Sequence, residues 1–310
     1  MKRPQAKSCG KKDDVMTTAQ VNLDRAMMEP VRQTQPSQDV PWRDNAWLAF
    51  WDQAAEVIGV VHVSTSPNAG ARHARLSIAH RGRFSEVIEP LEAGTFAGRQ
   101  IIFDLDEGIS LDTAEVSGTL RMDALFALAD YTGGSVFPSV LEQRPLNHYQ
   151  QAAKVTGRLV IHGEEVEING QGYRDRTWGY RNESASILEY IASQCVFPTF
   201  SLSLMRFRVA DGSHRREGYV LAKEAQLVEP FTEVVRGRAG EVLEFTLTHE
   251  DGETLRVFVE ERLGIFPLPV SPERNRGPTL AAYEEFCVLR ASDGSRGFGV
   301  IGVGSRRQLC

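Results

Sequence analysis

The stretch Val155–Tyr173, VTGRLVIHGEEVEINGQGY, decides how the chain is read. Two alternating runs flank the dipeptide His162–Gly163. Alternation is the period of a strand, whose successive side chains point to opposite faces. Two such runs joined by a short glycine-containing turn read as a β-hairpin. The same signal recurs downstream, with turns at Asp211–Gly212, Asp251–Gly252 and Asp293–Gly294. Upstream, NAWLAFWDQ alternates, with Trp47, Ala49 and Trp51 on one face and Leu48 and Phe50 on the other. EVIGVVHVST, RHARLSIAH, GRQIIFDLDEG and ISLDTAEVSG continue an antiparallel meander.

These patterns predict an all-β fold. The rhythm breaks at LADYTGGSVFPSVLEQRPLNHYQQAAK, where Gly133–Gly134, Pro138 and Pro145 mark a long connection with one short helix. Met122, Leu125, Phe126 and Ala129 also fit a helical face. Three segments are therefore expected: a polar arm over 1–40, a first β-domain over 41–150 and a second over 151–310. Closing each meander into a barrel or sandwich would remove its exposed edges, and barrels of about eight strands have room for one small ligand.

Composition narrows the function. Apolar residues make up 42% of the 310, charged residues 25%, and the net charge is −6. No basic block is present, which argues against nucleic acid as a partner. No apolar run approaches the ~20 residues of a membrane helix. MKRPQAKSCGKKDD lacks the apolar core of a secretory signal, so a cytoplasmic protein is expected. It would work as a monomer or homodimer. Cys9, Cys195, Cys287 and Cys310 form no metal-spaced pair, and Cys195 and Cys287 read as buried free thiols. The seven histidines show neither HxH nor HExxH spacing. No phosphate loop or nucleophile elbow is found. No metal and no cofactor are expected.

One stretch carries chemistry, GQGYRDRTWGYRN (Gly170–Asn182). At a period of two, Tyr173, Asp175 and Thr177 share one face, and Arg174, Arg176, Trp178 and Tyr180 share the other. Asp175 in an apolar cavity would be a proton donor with a raised pKa. Arg174 and Arg176 on the inside would form a cationic wall. Trp178 offers a π-face to a developing cation. Arg–Asp pairs beside Trp and Gly also lock corners of β-proteins, and residue types alone favour that structural reading.

The segment His148–Asn182, with HYQQ, KVTG and GQGYRDRTWGYR in order, resembles the carotenoid hydratase (hydroxyneurosporene synthase)-like family and its Gly-x-Gly-x-x-Asp-His-x-Trp-Gly motif. WRDNAWLAFWD and SDGSRGFGVIGVG look like that family's two ends. The resemblance implies two lipocalin-like barrels or sandwiches side by side, around a hydrophobic ligand cavity. It also implies hydration or cyclisation of isoprenoids by alkene protonation, or cyclisation of polyketide products. Asp175 takes the place of the family's Asp and Trp178 that of its Trp. The family's His is Arg176 here, and a guanidinium cannot act as an acid or base near neutral pH.

The expected enzyme is therefore a metal- and cofactor-free hydratase or cyclase for a hydrophobic small molecule. Asp175 would supply or relay the proton. Tyr173 and Trp178 would shape the cavity, and Arg176, with Arg174, would anchor a polar group. Trp47, Phe50 and Trp51 are candidate walls, and Glu189 and Tyr190 secondary candidates. The alternatives are a carrier for a lipid-like molecule and a cyclase that works by shape without an acid.

Overall fold

The computed structural model describes residues 25–32, 40–70, 72–137, 146–180, 187–268 and 277–309. Most of them lie in antiparallel strands, in two units. The first is a sheet whose outer strands run in the order β4 (Arg83–Pro90), β3 (His73–His80), β2 (Val57–Thr65), β1 (Trp42–Asp52). It continues through β10 (Glu164–Tyr180), β9 (Asn147–Ile161), β7 (Val116–Ala124), β6 (Gly108–Asp112) and β5 (Ile101–Asp104). The short β8 (Ala129–Asp130) pairs with β9.

The second unit is a closed barrel of eight strands taken in chain order. It begins with β11 (Ile187–Val196), β12 (Ser201–Val209), β13 (His214–Leu221) and β14 (Ala225–Arg236). It ends with β15 (Val242–His249), β16 (Thr254–Pro267), β17 (Gly277–Ala291) and β18 (Arg296–Leu309), which closes on β11.

The hairpin Val155–Tyr173 forms as predicted. His162 and Gly163 both take positive φ (53° and 83°), the two-residue turn whose twist suits flanking strands. At the Asp-Gly turns only the glycine is left-handed, and the aspartate accepts the amide two residues on, as Asp211 does from Ser213 at 2.8 Å. The expected domain boundary at 150/151 needs correction. It cuts through β9, and both β9 and β10 belong to the first sheet. The change of unit falls between Tyr180 and Ile187, because β10 finds its second partner in β1. The described part of that connection carries β8 and no helix, and residues 138–145, where the expected short helix could fall, lie outside the described residues. Most of the 1–40 arm, Pro138 and Pro145 lie outside the described residues. No helix among the described residues is long and apolar enough to cross a membrane.

Three apolar layers result. Leu48, Phe50, Val61, Leu76, Val155 and Leu159 fill the concave side of the curled first sheet. Phe197, Leu204, Phe231, Phe245 and Leu289 fill the barrel, where the free thiols of Cys195 and Cys287 are also buried. The third layer joins the units: Ala49, Trp51, Val60 and Tyr173 meet Met205, Phe207, Phe286 and Val300. Strand β1 is therefore buried on both faces, which explains its nearly continuous apolar run. The first sheet does not close through a hydrogen-bond ladder. Glu89 on edge strand β4 accepts the amides of Arg99 (3.1 Å), Gln100 (2.9 Å) and Ile101 (2.8 Å), fastening it to β5.

Candidate functional site

Strand β10 sorts the central motif into two environments. Its alternation holds through the described part of the motif, in ladder register with β1 and β9. Arg174, Arg176 and Trp178 turn to the concave side of the first sheet. Tyr173, Asp175 and Thr177 turn to the seam with the barrel.

The concave side is a finished electrostatic structure. Arg176 is fully buried and pairs with Asp44, itself buried. Its Nη1 also donates to the Asn45 carbonyl (2.9 Å), and its Nη2 and Nε donate to the Glu29 carbonyl (2.8 and 3.2 Å). The guanidinium lies 4.9 Å from the Trp178 ring and 5.1 Å from that of Phe96. Arg174 donates to Gln151 Oε1 from Nε (3.1 Å) and Nη2 (2.5 Å). The arginines expected to anchor a substrate therefore face away from Asp175. Trp178 stacks near Tyr149 (5.6 Å) and belongs to the same side. Phe50 is also an inner-core residue, filling the space that Gly59 leaves.

The seam side is built differently. Asp175 accepts from Thr177 Oγ1 (2.7 Å) and Gln150 Nε2 (2.9 Å), and His148 Nε2 lies 3.2 Å from its Oδ2. His148 Nδ1 is 2.6 Å from the same Thr177 hydroxyl. The side chains of Asp175 and His148 are 13% and 6% exposed, so both are largely dry. Thr177 has one proton to place. It goes to Asp175, and the Thr177 oxygen takes the Nδ1–H of His148, so the three side chains form one hydrogen-bonded chain with the imidazole at its end.

The barrel completes this layer. Gln150 Oε1 accepts from Ser203 Oγ (2.6 Å) and Gln194 Nε2 (3.3 Å). Tyr131 OH donates to the Ser203 carbonyl (2.8 Å). The His148 ring sits against Phe137 (4.5 Å) and Tyr131 (5.4 Å), and Phe137 against Phe207 (5.3 Å). Tyr173 is fully buried, and burial holds its phenol protonated far above the usual range. Its hydroxyl and that of Ser201 make no hydrogen bond among the described residues.

A second carboxylate stands on the barrel side. Glu284 on β17 accepts from Trp47 Nε1 at 2.8 Å, and Trp47 is the ladder partner of Asp175 on β1. Its other oxygen is 3.5 Å from buried Arg75. Burial pushes Glu284 up to about 7, against the opposing pull of Arg75 and Trp47. Tyr190 also faces the seam: Gly302 and Gly304 on β18 leave room for its ring, and a Cβ at Gly304 would come within 2.2 Å of it. Trp51 packs edge-on to Phe286 at 6.5 Å. Glu189 lies elsewhere, at one end of the barrel, paired with Arg236 and Arg208.

Of the predicted residues, the seam gathers Asp175, Tyr173, Trp47, Trp51 and Tyr190. Sequence reading missed His148, Gln150, Thr177 and Glu284. Among the described residues no cluster of His, Cys, Asp and Glu could hold a metal ion.

Residues 29–307 match the family model "Domain of unknown function (DUF7064)". No curated protein matches the sequence. Solved structures share the fold at low identity. Kievitone hydratase from Nectria haematococca superposes with a TM-score of 0.57 at 16% identity, over 90% of this chain and 94% of that one. An AttH-like protein from Nitrosomonas europaea gives 0.61 at 12%, over 88% and 98%. CghA, solved with Sch210972, gives 0.56 at 11%, over 91% and 95%.

Proposed function

The chain belongs to the DUF7064 family, and on that premise we propose a cofactor-independent enzyme that hydrates or cyclises a hydrophobic isoprenoid or polyketide in the seam between sheet and barrel. The observation that carries the reading is the Asp175–Thr177–His148 hydrogen-bond chain, with Glu284 placed beyond Trp47. Glu284 exchanges its proton near neutral pH and is the general acid. It protonates the alkene, and the cation forms against the faces of Trp47 and Tyr190. In hydration, water attacks the cation while Asp175 and His148 take the proton that water loses. In cyclisation, a second double bond attacks and the same pair removes a proton from carbon. Either cycle ends with one proton added and one removed, so no redox partner is needed. The name of kievitone hydratase and the compound bound to CghA, both on this fold, support the reading without fixing the substrate.

The test is turnover of linear isoprenoids and apolar polyketide precursors in heavy water, beside Asp175→Asn and Glu284→Gln. Products should carry solvent deuterium, with a mass gain of one water for hydration, and should vanish in both variants. An unlabelled isomer from all three proteins would overturn acid catalysis in favour of closure by shape. Retention of a compound without conversion would identify a carrier.

A further inference from the structure

The inner face of the barrel changes character along its axis. Leu202 and Leu204 on β12 belong to the apolar core. The next inward residue on that strand is Arg206, whose ladder partner on β13 is Arg216. Arg236 closes the inward row of β14, beside Val242. Carboxylates at this end are already engaged. Glu189 pairs with Arg236 (3.2 Å) and Arg208 (3.6 Å), Glu229 with Arg216 (2.8 Å), and Glu285 with Arg262 (2.9 Å). Glu241 accepts the amide of Ala239 (2.9 Å).

Among the described residues no carboxylate forms an ion pair with Arg206; Glu189, held by Arg236 and Arg208, offsets its charge only in part. Arg206 donates to the Phe231 carbonyl, at 3.3 Å, and its guanidinium lies 5.9 Å from the Phe231 ring. The Arg216 Nε is buried and has no acceptor among the described residues. Burial and the charge of Arg216 lower the pKa of Arg206; Glu189 opposes them, and Arg236 adds to the lowering. Partly buried guanidiniums forced together with spare donors suit an anion that takes two N–H groups at once. The rim is open to water: Arg208, Arg216 and Arg236 are 45%, 31% and 29% exposed.

We propose that this end of the barrel binds the oxyanion group, carboxylate or phosphate, of a small molecule, with Arg206 and Arg216 as its principal contacts. The site is separate from the seam and does not depend on the reaction proposed there.

The experiment is thermal unfolding of the full chain in inorganic phosphate or acetate, against chloride at equal ionic strength. Phosphate or acetate, up to about 20 mM, should raise Tm saturably by a few degrees, and the stronger anion names the group recognised. Arg206→Gln should abolish the shift, and Arg216→Gln should reduce it. Without anion, Arg206→Gln should melt no lower than the parent, because it removes a repelled charge. A lower anion-free Tm would make Arg206 a structural brace and overturn the proposal. So would an absent shift, or an equal shift in both variants.

Discussion

The two faces of β10 use the same kinds of residue to opposite ends. On the concave face, the buried Arg176–Asp44 pair is completed by backbone carbonyls, so that its charges are bound in one arrangement. On the seam face, Asp175, Thr177 and His148 form a hydrogen-bonded chain that ends on an imidazole. A saturated network fixes geometry; a chain that ends on a titratable ring leaves a proton free to exchange. Charge and burial alone do not separate the two faces. What terminates the network does.

Breaking the brace should have the largest effect. Arg176→Met leaves Asp44 buried and unpaired, and should cost about 3–5 kcal/mol in urea unfolding, with activity per folded molecule retained. A loss under about 1 kcal/mol would mean that the concave face is no brace. Asp175→Asn should do the reverse: turnover falls by about 10²–10⁴ while stability changes by about 1 kcal/mol or less.

Glu284 sharpens the comparison through pH. Its folded value, about 7, lies above the usual 4.5 of a free glutamate, so between the two the folded chain keeps a proton that the unfolded chain has released. Its burial is least costly below 4.5, and stability falls as pH rises through about 7, by on the order of 3 kcal/mol in all. Turnover should fall over the same upper limb. Glu284→Gln should flatten the stability profile and be the more stable protein above about 7. A parallel decline in that variant would assign the effect to another group. The smallest change is expected from Trp47→Phe. Losing the indole donor pushes Glu284 further up, so the alkaline limb of the rate profile should move to higher pH. An unmoved limb would disconnect Trp47 from the acid.

The strands and turns were legible because they are local: alternation and Gly-containing turns need only neighbouring residues. The unit boundary was not. β10 pairs with β1, and nothing near residue 150 records a partner so far back in the chain. Part of the site could have been counted out. Equal steps from Ile161 and Glu164, on either side of the His162–Gly163 turn, set Asp175 opposite Gln150 and Thr177 opposite His148. Glu284 could not be found that way. In EEFCVL it and Glu285 point to opposite faces, and only packing of the barrel on the sheet shows which face meets Trp47. Arg176 looked like a substrate anchor because its partner, Asp44, sits in WRDNAW, more than a hundred residues earlier.

The hairpin Val155–Tyr173 also sets the grammar of the central motif. β10 is read two letters at a time, and the turn at His162–Gly163 is its start signal. Inserting or deleting one residue between that turn and Tyr173 would shift the frame. Arg174 and Arg176 would then be spelled into the seam and Asp175 into the concave core, with every residue type kept and the sense of the message lost.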